Sequence, residues 1–114
     1  MPIHHIKQTV REQLASLGPV AIPLSTEPFE TRGISVEIPG REKVDTGVWE
    51  CEPGQSQRTV EGAEIVHILA GDAIFTSDDG QIVHMRTGDT LFFPPMTMGV
   101  WEIRETLRKV YVIL

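Results

Sequence analysis

Apolar and polar positions along this chain fall into two textures. Up to about Lys43 the punctuation is irregular, with prolines at Pro19, Pro23, Pro28 and Pro39. Within residues 6–17, Ile6, Val10, Leu14 and Leu17 recur at helical spacing and end at Gly18-Pro19. This pattern predicts a short amphipathic helix with a stop signal. Val20-Ala21-Ile22 and the alternating Ile34-Ser35-Val36-Glu37-Ile38 read as short strands.

From Gly47 onward the rhythm is regular. Glycines at 47, 54, 62, 71, 80, 88 and 99 give the turn spacing of a sandwich or barrel. Between them lie strand-like runs over 47–52, 63–70, 73–77, 81–85, 90–93, 100–104 and 108–114. Asp78-Asp79-Gly80 is a hairpin signal. Pro94-Pro95 marks a loop or a sheet edge, because proline donates nothing to a ladder. Val110, Val112, Ile113 and Leu114 predict a buried last strand. The expectation is one all-β domain, with an N-terminal arm over 1–43 carrying the helix and edge strands, and a barrel core over 44–114.

Composition adds exclusions. A length of 114 residues suits a single domain. The net charge of −6, from 10 Lys and Arg against 16 Asp and Glu, argues against nucleic acid as a partner. The lone Cys51 allows no internal disulfide. No stretch approaches the ~20 apolar residues of a membrane helix, and the N-terminal residues lack the apolar core of a signal peptide. A cytoplasmic location is expected.

Two segments resemble a known family. Glu64-Ile-Val-His-Ile-Leu-Ala-Gly71 places a glutamate on a strand ahead of a turn glycine, and Gly88-Asp89-Thr-Leu-Phe-Phe-Pro94 follows a glycine–aspartate turn with a short apolar strand and a proline. With the hairpin between them, they resemble the two cupin motifs. The run from Thr46-Gly-Val-Trp-Glu-Cys through Trp101-Glu102 to Arg108-Lys109-Val-Tyr111 is similar, more narrowly, to the small cupin family related to (S)-ureidoglycine aminohydrolase. The resemblance implies a double-stranded β-helix, the cupin jelly-roll barrel, here with the short N-terminal helix outside it.

The metal ligands of that family are missing. A metal-binding cupin has His-x-His ahead of its motif glutamate and a third histidine after its motif proline. The matching positions are Gln57 and Thr59, or Arg58 and Val60, and then Gly99. Only Glu64 survives, and one carboxylate does not hold a divalent transition metal against water. Strand alternation sends His67 to the face opposite Glu64, and His4, His5 and His84 have no partner at metal spacing. No cofactor is expected; the alternative is a divalent transition metal on unusual ligands.

The candidate ligand-binding residues are Glu64, Trp101, Lys109, Tyr111, Trp49 and Arg58. Lys109 and Tyr111 share a strand face, Trp101 is the inward position next to Gly99, and Trp49 is either wall or core. Arg58 and Lys109 are the available partners for an inward Glu64, since a buried carboxylate needs one. Two arrangements are open: an internal ion pair that fixes the fold, or, as favoured here, a wet pocket in which water solvates Glu64 until a ligand arrives. Cys51 reads as a small hydrophobe, and no catalytic residue stands out. The expected function is binding of a small polar metabolite, zwitterionic or amide-bearing. The alternative, implied by the resemblance, is a metal-dependent hydrolase or isomerase acting on a small nitrogenous compound such as a ureide. A homodimer is expected, through the arm or the outward face around His67 and Leu69.

Overall fold

A computed structural model of the chain describes residues 3–114, and its elements are all strands: β1 (Ala15–Pro19), β2 (Glu30–Val36), β3 (Asp45–Cys51), β4 (Gly54–Gln57), β5 (Glu64–Ser77), β6 (Ile82–Arg86), β7 (Thr90–Phe93) and β8 (Gly99–Ile113). Every pairing is antiparallel, in the order β1-β2-β3-β8-β5-β6, with β4 on β8 and β7 on β5. The two long strands each take different partners along their two halves. Residues 64–67 of β5 pair with β7, and 107–113 of β8 pair with β3. Their other halves, 72–76 and 100–103, pair with β6 and β4. The two halves meet where the β5–β8 register slips, at 68–73, and bulges of this kind bend a strand and increase its twist. Gly71 sits in that bend at φ +115°, and a Cβ there would lie 2.5 Å from the Thr106 carbonyl oxygen. Only glycine fits so close an approach.

Both long strands correct the sequence reading, which divided each in two. Gly71 looked like a turn between strands and is instead a bulge inside one. β4 escaped notice because Gly54-Gln-Ser-Gln has no apolar alternation; its inward residue is Ser56, which is buried. The Asp78-Asp79-Gly80 hairpin is present, with Gly80 at φ +95° and the Ser77 amide donating to Gln81 O at 2.8 Å.

The helix expected over 6–17 is absent; among the described residues there is no helix. Residues 7–11 make isolated turns, and Gln8 adopts φ +49°, a left-handed conformation incompatible with a right-handed helix. A helix this short is marginal on its own, and two of its carbonyls are taken elsewhere. Arg108 Nη1 donates to Thr9 O (2.9 Å) and Glu12 O (2.7 Å). Residues 15–19 then pair with β2 as an edge strand. Val20-Ala21-Ile22 is likewise not a strand. It crosses toward β4, with the Gln57 amide donating to Ile22 O and a bridge between Pro23 and Ser56. Prolines at 19 and 23 deny this stretch a continuous ladder. β2 ends at Val36, short of the expected Ile38 and ahead of Pro39.

Arg108 leaves the barrel on the side opposite Lys109 and fastens the arm to the outer face. Its Nε also donates to Glu50 Oε1 at 3.0 Å, and Glu50 Oε2 accepts from Arg32 Nε at 2.6 Å. Leu14 and Val48 are buried outside the main core. Arg108→Ala is expected to cost about 2 kcal/mol and, by freeing the arm backbone, to speed tryptic cleavage after Lys7 and Arg11 while the barrel stays intact; an arm no more sensitive than in wild type would refute this. Burial works to raise the Glu50 carboxyl, but hydrogen bonds and charge from Arg32 and Arg108 together hold it below the ordinary carboxylate value. A carboxyl held low in the fold stabilises it above the unfolded-state value and loses that contribution as pH falls through the folded one. Unfolding midpoints should therefore decline below about pH 4.5, and less steeply in Glu50→Gln.

Candidate ligand-binding site

Alternation along β5 buries Glu64, Val66 and Ile68 and turns Ile65 and His67 outward. Among the buried residues of the interior, Phe75 packs edge-on against Phe93 (centroids 5.3 Å) and Trp101 (5.2 Å). Trp101 is therefore core on one side and cavity wall on the other.

Glu64 lies at the floor of a cavity of about 360 Å³, its side chain only 1% exposed. Each carboxylate oxygen has its own cation: Arg58 Nη2 donates to Oε1 at 2.8 Å, and Lys109 Nζ donates to Oε2 at 3.0 Å. Arg58 is placed by the extended chain after β4, where its amide donates to Gly99 O. Its Nη1 donates to Val60 O (2.9 Å) and Thr97 O (2.6 Å), and its guanidinium lies 4.4 Å from the centre of the Phe93 ring. Its Nε is, among the described residues, the buried side-chain nitrogen without an acceptor.

Lys109 is directly opposite Trp49 in the β3–β8 register. Its ammonium lies 4.8 Å from the Trp49 ring centre, 5.4 Å from Trp101 and 5.9 Å from Tyr111, within cation–π range. Burial pulls its proton affinity below the ordinary lysine value. Glu64 opposes this and Arg58 adds to it, leaving a net lowering. The Tyr111 hydroxyl donates to Asp45 Oδ1 at 3.3 Å at the rim; burial, helped by the Asp45 charge, pushes its phenol up.

All six residues singled out by the sequence, Trp49, Arg58, Glu64, Trp101, Lys109 and Tyr111, line this one cavity. The solvation expected for Glu64 is corrected. It is bound on both oxygens within a buried Arg–Glu–Lys triad, because the positions that could have left room for water supply Arg58 instead. The sequence reading missed the wall that the arm provides. Leu17, Pro19, Val20 and Ala21 cover one side, with Thr31 beside them. Their signal was hidden because Gly18-Pro19 read as a helix stop.

The donor set does not suit a metal. Among the described residues, no three of His, Cys, Asp and Glu come together as metal ligands. Both oxygens of Glu64 are engaged by cations, which repel another. At position 99 a Cβ would run into the Thr76 carbonyl oxygen and lie 2.7 Å from Ser77 Cα, so a histidine there would displace backbone. His67 Nδ1 pairs with Thr90 Oγ1 and His84 Nε2 with Asp72, both at exposed positions.

Cys51 adjoins the site without sharing its chemistry. It is fully buried, and burial, with the Glu52 charge, pushes its thiol up to about 12. At neutral pH it is protonated, and the thiolate is the reactive form. A disulfide reagent should label it only after unfolding; rapid labelling of the native protein would contradict this burial.

A larger hollow of about 600 Å³ opens beside the β5–β6 hairpin, lined by residues such as Phe75, Val83, Leu91, Phe92 and Met96, with Asp78 and Asp79 beside it. It contains no buried charged side chain, so the chemically distinctive site is the smaller cavity.

The family model of the EutQ-like cupin domain matches residues 40–111. No curated protein sequence matches the chain. Among solved structures, the fold is similar to a protein of unknown function of the DUF861 family from Pseudomonas syringae, with TM-score 0.79 and 20% identity over 92% of this chain and 46% of that one. It is also similar to the Clostridium difficile EutQ protein, with TM-score 0.64 and 17% identity over 75% and 68% of the two chains. A cupin-like protein from Thermotoga maritima gives TM-score 0.62 and 12% identity over 82% and 78%. This chain thus spans about half of the Pseudomonas protein, and at these identities the likeness is one of fold.

Proposed function

Because this chain belongs to the family of EutQ-like cupin domains, we propose that it is a small-molecule binding protein whose ligand, a small polar metabolite, occupies the cavity above the Arg58–Glu64–Lys109 triad. The observation that carries this reading is the placement of a charged triad at the base of a cavity walled by Trp49, Trp101 and Tyr111. Few polar groups at fixed positions among aromatic walls are what a specific small-ligand pocket requires.

The narrower likeness to the ureidoglycine aminohydrolase family belongs to the same proposal and puts ureides among the candidate ligands. A metal-dependent hydrolase or isomerase is the weaker reading, since the cavity offers Arg58 and Lys109 where a metal would need donors. The test is a thermal-shift screen of ureides, amino acids and small carboxylates. A ligand at a hundred times its Kd should add about 2.7 kcal/mol of apparent stability, and Trp49→Ala should abolish the shift. A screen in which no class moves the midpoint would sink the reading.

The partner proposal is a homodimer through the outward face of β7, β5, β8, β3 and β2. Phe92, Ile65, Val112, Thr46 and Val36 fall in one row across it, and Phe92 is 74% exposed. A large apolar group left in water on a sheet face favours a second copy. Light scattering should give twice the chain mass, and Phe92→Glu should halve it; a monomeric wild type would end this proposal.

A further inference from the structure

Given the binding reading, the charge of the ligand is set by the buried groups of the site. The buried groups of the site do not balance. Two cations, Arg58 and Lys109, share one carboxylate, Glu64, and the exposed side chains of the triad amount to 1%, 9% and 1% respectively. Charge buried without a counter-charge is costly. The strain falls on Lys109, whose ammonium burial and Arg58 together disfavour. The other titratable groups near it do not supply the missing negative charge. Cys51 on β3 and Tyr111 on β8 are both held in their neutral forms, and Asp45 stands at the rim, engaged by the Tyr111 hydroxyl.

Hydrogen bonding shows the same deficit. An ammonium has three donors, and the one hydrogen bond that Lys109 makes in the protein goes to Glu64 Oε2. Arg58, on the other oxygen of Glu64, has its Nε without an acceptor. The site therefore lacks one negative charge and is rich in donors. Around that deficit stand the rings of Trp49, Trp101 and Tyr111, with Leu17, Pro19 and Val20 from the arm completing an apolar surround.

We propose that the ligand is a small organic monocarboxylate whose carboxylate sits on Lys109 and whose apolar body lies between the Trp49 and Trp101 rings and the Leu17–Val20 wall. One excess positive charge asks for one negative charge. The Asp45 carboxylate at the rim repels a second one, and the apolar walls favour an organic tail over a hydrated inorganic anion.

The experiment compares charge at constant shape. Propionate with propionamide, benzoate with benzamide, and inorganic phosphate are titrated into the full chain by calorimetry. At least one carboxylate should bind, with its amide at least about tenfold weaker, a difference of about 1.4 kcal/mol. Lys109→Met, which keeps the length and removes the charge, should weaken carboxylate binding by at least as much. Should that variant fail to fold, the wild type still decides. A bound carboxylate should slow acylation of Lys109, read by mass spectrometry, while the exposed Lys7 and Lys43 label at unchanged rates. Amides binding as well as carboxylates, phosphate binding better than any carboxylate, or carboxylates that leave Lys109 labelling unchanged would each overturn the anion assignment while the pocket reading stood. Failure of every probe here and in the broader screen would remove both.

Discussion

Glu64→Gln is expected to lower folding stability by about 3–5 kcal/mol, a large fraction of the ~5–15 kcal/mol available to a domain of this size. The substitution keeps shape and volume and removes one charge. What remains is an Arg58 guanidinium and a Lys109 ammonium, both buried, facing a neutral amide. Removing one member of a buried ion pair is far more damaging than replacing all members together, because the others are left uncompensated. A double substitution therefore separates charge from packing. Glu64→Gln combined with Lys109→Met should be less destabilised than the sum of the two single changes, by about 1–3 kcal/mol of coupling. Urea midpoints of the four proteins measure it. A loss below about 1 kcal/mol for Glu64→Gln would mean that water, not the two cations, holds the carboxylate.

Trp101→Ala should cost a comparable amount, about 3–5 kcal/mol, as large aromatic-to-alanine changes in cores do. The indole touches two rings of the core, Phe75 at 5.2 Å and Phe93 at 5.9 Å between centroids, and it faces the Lys109 ammonium at 5.4 Å. Trp101→Phe keeps a ring in place and should recover most of the stability. Trp49 provides the contrast. It reaches the same ammonium but is only partly buried and packs against the core from its edge, so Trp49→Ala should lose ligand response with a smaller loss of stability. Equal destabilisation by the two tryptophan truncations would contradict this division between core and wall.

The regular glycines and strand-like runs after Gly47 marked an antiparallel all-β domain, because period-two alternation is set locally by the backbone pleat. The same parity puts His67 on the face opposite Glu64. The six candidate residues that line the cavity come from four stretches of chain and were suggested by the cupin motif, the shared face of Lys109 and Tyr111, and the need of a buried carboxylate for cations. The absence of histidine at 57, 58, 59, 60 and 99 was also legible, since ligand identity is a property of single positions. Where strands join was not legible. A bulge at Gly71 and a turn at Gly71 look alike in one dimension, and only the partner strand, which brings Thr106 against that glycine, distinguishes them.

The arm shows the limit most clearly. Ile6, Val10, Leu14 and Leu17 are spaced for a helix, and local pattern alone favours one. Arg108, nearly a hundred residues later, captures the carbonyls of Thr9 and Glu12, while the free edge of β2 offers residues 15–19 a ladder. Both are long-range contacts whose energy no local window contains, and they override a weak propensity. The state of Glu64 is decided in the same way. That it faces inward follows from its place in the cupin motif; that both its oxygens are saturated follows from Lys109 on β8 and Arg58 on the segment after β4 converging on it, a matter of distances in the folded barrel.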